Sequence, residues 1–248
     1  MEKFYLLFLY FYIYSIIGWT LEVIYCRLLE GKFTNRGFLH GPYCPIYGTG
    51  AILIVIFLNR FYNNPALVFI LGIIVTSILE YITSFIMEKL FNAKWWDYSN
   101  MKFNIKGRVC LLNSTLFGVL SLLLVYILNP AITMLIEKIN PKYIPYISNI
   151  LIILMSIDIT STVAEIINLK KKLSELREFT ETLLKEKSIF SENSQTYKSV
   201  LDLREKIINK KNVINNRIIK AFPSLNFKEN HFELLNIKEL KRKFKNKK

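Results

Sequence analysis

Apolar residues dominate five stretches of the chain, residues 4–25, 43–58, 66–87, 109–128 and 147–167, and polar or glycine-rich loops separate them. A helix needs about 20 mostly apolar residues to cross a bilayer, so the pattern predicts an all-α, polytopic membrane domain over residues 1–168. The second stretch is the shortest and opens with Pro42 and Pro45, which suits a broken or re-entrant start. Residues 131–136 are apolar but too few to cross alone. Beyond residue 168 the period changes. Leu169, Leu176, Leu183, Phe190 and Tyr197 recur every seventh position with Leu173 on the same face, predicting an amphipathic helix that continues out of the fifth stretch. Residues 191–194 interrupt it, and Ile207, Ile214, Ile218 and Ala221 form a second stripe. A helical hairpin or short coiled coil is expected over 169–222 and a disordered end over 223–248.

One pattern occurs twice. Leu21-Glu22-x-Ile24-x-x-x-Leu28-Leu29-Glu30-x-x-Phe33 returns 58 residues later as Leu79-Glu80-x-Ile82-x-x-x-Ile86-Met87-Glu88-x-x-Phe91. Two helices return a chain to its starting side, so units of about 4–60 and 64–128 must share one topology: the repeat is parallel. Each unit places a carboxylate near the end of its first helix, where mid-membrane insertion costs about 2.5–3.5 kcal/mol. Two readings stand for Glu22 and Glu80. They contact a cation, a proton or the polar head of a substrate, or they form internal pairs, Glu22 with Arg36 and Glu80 with Arg108. A pseudo-two-fold axis along the membrane normal would bring both to one central site. On the fifth helix Asp158 is the deeper charge, with Glu165 on the same face closer to the boundary.

Charge sets the orientation. The chain carries 33 Lys and Arg against 19 Asp and Glu, and from residue 170 onward the ratio is 21 to 10. Arg27, Lys32 and Arg36 crowd the first loop and Lys89, Lys94, Lys102, Lys106 and Arg108 the third, whereas the second holds only Arg60 and the fourth Lys138 and Lys142. By the positive-inside rule the N-terminus is outside and the tail cytoplasmic. The first stretch is too long for a signal-peptide core and is expected to remain as a spanning helix. The basic tail suits anionic lipid or a protein partner; charge without a fold signature argues against nucleic acid. Cys26, Cys44 and Cys110 form no even-numbered framework and are expected as reduced thiols. His40 and Cys44 lie four apart, but no CxxC or HExxH spacing accompanies them, so neither a metal nor another cofactor is expected.

The densest motif runs from Asn35 to Gly50, with four glycines and two prolines in 16 residues. It is either the mouth of a cavity or a helix-entry turn with close glycine packing. Its counterpart in the second unit contains Trp95-Trp96-Asp97-Tyr98-Ser99. The aromatics suit an interfacial belt, whereas Asp97 and Arg108 could pair with each other or brace the repeat carboxylates. Three runs, Gly18-Trp19-x-Leu21-Glu22, Asn35-Arg36-Gly37-Phe38-Leu39-x-Gly41-Pro42-Tyr43-Cys44-Pro45-Ile46-Tyr47-Gly48, and Trp96-Asp97-Tyr98-Ser99 with Asn104-x-x-Gly107-Arg108-x-Cys110, resemble the CmpB-like bacterial membrane proteins catalogued as ABC-transporter type IV permeases. The resemblance covers about residues 5–130. It implies a permease-like subunit in the bacterial cytoplasmic membrane. No Gly-x-x-x-x-Gly-Lys-Ser/Thr loop occurs in the chain, so ATP hydrolysis would come from a separate ATPase subunit. Two other classes stand behind this one: a membrane scaffold or sensor recruiting partners or anionic lipid through the tail, and, last, a membrane-embedded enzyme acting on a lipid-linked substrate, for which no catalytic residue is assigned.

The orientation is testable by cysteine labelling. A cysteine replacing Asn64 should react with a membrane-impermeant maleimide in intact cells, and one replacing Asn35 only after permeabilisation; the reverse would invert the topology.

Overall fold

The computed structural model describes residues 2–31, 35–187, 216–222 and 224–227. Helix α1 spans Glu2–Glu30, α2 Pro45–Leu58 and α3 Pro65–Phe91. Two-residue strands β1 (Ala93–Lys94), β2 (Asn104–Ile105) and β3 (Val109–Cys110) follow. Helix α4 is Leu111–Leu123, α5 Asn129–Ile136 and α6 Ile144–Lys187. A short helix α7 (Asn216–Ala221) and strand β4 (Asn226–Phe227) complete the described elements. The expected positions Phe190, Tyr197, Ile207 and Ile214, and the break at 191–194, lie outside the described residues.

Local chemistry sets the helix limits. Asn64 accepts the backbone N–H of Leu67 at 3.1 Å and Pro65 follows at the first helical position, so α3 has both a cap and a residue whose missing N–H costs nothing there. At its far end Asn92 takes a left-handed conformation, φ 52°, and stops the helix. Residues 131–136 prove to be no separate element. Pro130 cannot donate to the carbonyl four residues back, and the preceding turn, Leu124–Leu128, widens to a π-turn that accommodates its ring. α4 and α5 therefore form one apolar helix, Leu111–Ile136, of 26 residues.

Among the described residues four helices are long and apolar enough to cross a membrane: Glu2–Leu28, Pro65–Phe91, Leu111–Ile136 and Pro141–Glu175. The remaining candidate, Pro45–Phe61, has 17 residues. At 1.5 Å per residue it reaches about 25 Å, short of a hydrocarbon core of about 30 Å. The loop before it is inserted among the helices. The backbone N–H of Cys44 bonds the carbonyl of Ser15, midway along α1, so residues 35–44 dip into the bundle and α2 starts from inside it.

The bundle has the polarity of a membrane protein. Ile70, Ile74, Ile78, Ile82 and Ile86 recur every fourth residue on the outward face of α3, each about half exposed, while Ser84, Glu80, Ser114 and Ser121 are buried. α1 packs on α2 and α6, and α3 on α4. Both units use small residues where their helices meet. Gly48 lies against Phe11 and Ser15, Gly72 against Ser121, and Gly118 against Phe69 and Ile73.

At the end bearing the loops, α7 returns to α6. Ile218 and Ile219 share a core with Ile166, Leu169, Leu173, Ala93 and Trp95. Strand β4 pairs antiparallel with β1, Phe227 opposite Ala93. The expected division at residue 168 therefore does not separate two packing units, and the end expected to be disordered from 223 begins with a strand. Leu225 and Phe227, each 1% exposed, supply the burial that the Lys-rich composition concealed.

A Cβ on Gly118 would stand 2.7 Å from Ile73 and 2.8 Å from Phe69, both anchored in α3. Gly118→Leu should destabilise the bundle by about 1–3 kcal/mol through overpacking, read as easier unfolding in mixed micelles. Ile74→Val, on the outward face, should change it little.

Candidate functional site

A cavity of about 400 Å³ opens between the two helix pairs and runs from Tyr14, Ile54 and Leu128 to the loop end. Both repeat carboxylates, Glu22 and Glu80, line it, as do Arg36, Gly18, Cys44, Pro45, Tyr47 and Trp96. Apolar and aromatic side chains make up most of the remaining wall. At the loop end Phe222 and Ser224 of the returning chain contribute to the lining. The Ser224 hydroxyl donates to the Trp95 carbonyl at 3.2 Å, and the Phe222 and Trp95 rings meet edge-on.

The two carboxylates are held alike. The Tyr47 hydroxyl, one turn into α2, donates to Glu22 Oε1 at 2.6 Å. The Tyr98 hydroxyl, in the loop before α4, bonds Glu80. Burial, ahead of the neighbouring Glu80 carboxylate, pushes the Tyr98 phenol above its usual range, so it remains a donor. Each second helix also begins directly after a cysteine in extended conformation, Cys44 before α2 and Cys110 before α4.

The cations break the symmetry. Arg36 reaches Glu22, with Nη1 3.8 Å from Oε2. Arg108 does not pair with Glu80. Its Nη2 donates to Glu88 Oε2 at 2.7 Å and its Nη1 to the Tyr81 hydroxyl at 3.2 Å. Two helical turns, about 12 Å, separate Glu80 from Glu88. The β2–β3 hairpin brings Arg108 to the lower position: Lys106 and Gly107 both have positive φ, 53° and 68°, and close a tight turn on the bond from Arg108 N–H to the Ile105 carbonyl at 3.0 Å. Glu80, only 6% exposed, keeps one oxygen without a hydrogen-bond partner.

The other expected residues build the loops. Asp97 accepts the backbone N–H and the hydroxyl of Ser99 and lies 3.6 Å from Lys94, not beside Arg108. The Ser99 hydroxyl, followed by its N–H and Lys94, holds the Asp97 carboxyl below its usual range. Gly107 lies against Asp97, where a Cβ would collide with the carboxylate. Asn35 accepts from the Trp19 indole at 2.7 Å and the Gly37 N–H at 2.9 Å, and donates to the His40 carbonyl. Trp96 donates to the Arg108 carbonyl at 3.0 Å. Asp158 anchors the inserted loop: it accepts the His40 N–H, the Gly41 N–H and the Tyr43 hydroxyl at 2.9, 2.8 and 2.6 Å. His40 bridges Asp158 and Glu165 through its two ring nitrogens at 2.9 and 3.2 Å. Pro42 sits between the anchored residues.

Sequence reasoning missed Arg217. Its guanidinium donates to Glu165 at 3.1 Å and to the carbonyls of Gly37, Phe38 and Leu39, tying the tail to the inserted loop. No spacing signal joins residues 180 positions apart, and Arg217 is one of many basic residues in its segment. Tyr47 stood inside the glycine-rich motif, yet its hydroxyl's partner, 25 positions back, is set by the crossing of α1 and α2. Among the described residues no group of three or more His, Cys, Asp or Glu could hold a metal ion. Cys44, Cys26 and Cys110 are all buried free thiols.

The cation assignment has a measurable consequence. Arg108→Gln should destabilise the protein by about 1.5–3 kcal/mol, since it deprives a largely buried carboxylate of a charged hydrogen bond. Glu88→Gln combined with Arg108→Gln should recover much of that loss in micelle unfolding, whereas Glu80→Gln combined with Arg108→Gln should not. Recovery with Glu80→Gln instead would reverse the pairing.

No curated protein and no solved structure matches the chain. A protein family does, over residues 9–163, a span that runs from the first third of α1 through α5 and includes the anchor Asp158. With more than half of its length matched, the chain belongs to the family described as Putative ABC-transporter type IV.

Proposed function

We propose that the protein is the permease-like membrane subunit of an ABC-type transporter, with the cavity between its two helix pairs as the solute site and a separate ATPase subunit as its motor. The observation that carries this reading is that Glu22 and Glu80, equivalent in a parallel repeat, line one cavity. Transporters built from repeats related by an axis along the membrane normal hold substrate at the repeat interface. Carboxylates are retained inside a bundle, at their cost in burial, where they serve a polar pathway. The positive-inside rule turns the loop end, and with it the cavity mouth, toward the cytoplasm of a bacterial cell. An ATPase would dock there, on the loops beside Lys94 and Arg108 and on the tail. The scaffold reading is less favoured because Arg217, Phe222 and Ser224 engage the cavity's own walls rather than standing free as a recruiting arm. An enzyme using Cys44 is less favoured still, because the Cys44 thiol is buried.

Filling the cavity tests the reading. Thr83 lines it and is half buried, so Thr83→Trp should place an indole in the solute space while leaving the outer faces intact. Solute pools of cells carrying the wild-type chain, the variant or neither should be compared by metabolite profiling. The variant is expected to match cells without the chain, with its melting temperature in detergent retained. A variant that behaves as wild type, where deletion has an effect, would move the function out of the cavity.

A further inference from the structure

We infer that the cavity takes a small organic cation, a substituted ammonium on an apolar or aromatic body, with Glu80 as its counter-ion. The inference rests on the permease reading for the site and adds the chemical class of what enters it.

The charged groups in the lining are Glu22, Glu80 and Arg36. Arg36 faces Glu22, and Tyr47 satisfies the other Glu22 oxygen, so that carboxylate is balanced by the protein. Glu80 is not balanced. Among the described residues no basic side chain pairs with it, since Arg108 is directed to Glu88, and Tyr98 satisfies it only in part. Its Oε2 is buried without a partner in a side chain more than nine-tenths buried. An unsatisfied buried acceptor costs about 1–3 kcal/mol, more when charged, and an arriving cation or donor removes that cost. One Glu80 oxygen is therefore open to a donor or cation brought by a ligand.

The walls identify which kind of cation fits. A divalent metal needs several oxygen ligands, and no such group exists among the described residues. The lining offers instead the rings of Tyr47, Trp95, Trp96, Tyr98 and Phe117. Aromatic faces with one carboxylate are the environment that holds alkylated ammonium groups, by attraction of the cation to the ring quadrupoles. A volume of about 400 Å³ suits a compact organic ion. An anionic group brings Glu80 neither a donor nor a positive charge.

The experiment uses the full chain in nanodiscs and radiolabelled benzyltrimethylammonium in equilibrium dialysis, with empty nanodiscs as background. Saturable binding is expected. It should be displaced by unlabelled tetraethylammonium but not by phenylacetate or by neopentylbenzene, the uncharged carbon isostere of the probe. Glu80→Gln should weaken binding at least tenfold, and Glu22→Gln less. Thr83→Trp should abolish it. The competition arms use only wild-type protein, so the inference stays falsifiable if a variant fails to fold. Absence of saturable binding, equal displacement by neopentylbenzene, or undiminished binding to a folded Glu80→Gln variant would each overturn it. Uptake of the same label by everted vesicles separates this inference from the permease reading: binding without movement contradicts the permease reading alone, and a cavity-dependent effect on uncharged solutes without cation binding contradicts this inference alone.

Discussion

The arrangement depends on the bonds from one carboxylate to one loop. Residues 35–44 carry backbone into the depth of a helical bundle, where every N–H left without a partner costs free energy that water cannot recover. Asp158 of α6 takes the N–H groups of His40 and Gly41 and the hydroxyl of Tyr43, and the carbonyl of Ser15 takes the N–H of Cys44. With those donors satisfied, the loop can stay inside and α2 can start at the depth of mid-α1. That start places Tyr47 against Glu22 and leaves the space between the helix pairs that becomes the cavity. Asp158, which in sequence looks like a functional charge, acts as the support of the inserted loop.

The same economy governs the loop end. His40 links Asp158 to Glu165, and Glu165 links to Arg217, whose guanidinium covers three consecutive loop carbonyls. Irregular backbone is thereby satisfied by charged groups arriving from α6 and from the returning chain. Beneath this network lies the apolar cluster of Trp95, Leu173, Ile218, Leu225 and Phe227, so the tail segment closes one side of the cavity's mouth.

Much of the architecture is legible in the sequence because the membrane imposes long apolar runs and the duplication marks the two carboxylates. The short second helix behind a proline-containing turn and the nearness of Arg36 to Glu22 follow from local pattern. Three features do not. Arg108 meets Glu88 rather than Glu80 because a tight hairpin, not linear spacing, sets its height along α3. Residues 131–136 join α4 because a widened turn absorbs Pro130, where pattern alone suggests a break. The packing of α7 and β4 is hidden because four apolar residues in a Lys-rich stretch suffice to bury it once Trp95 and α6 provide the other face.

Glu22 and Glu80 line one cavity, and among the described residues no cation pairs with Glu80. A cryo-electron microscopy structure of the full chain in lipid nanodiscs tests this arrangement directly. Glu22 and Glu80 are expected in the wall of a single cavity between the two helix pairs, with Arg36 beside Glu22, Arg108 beside Glu88 and one Glu80 oxygen free of protein donors. Either carboxylate facing lipid, or a basic side chain seated on Glu80, would contradict it.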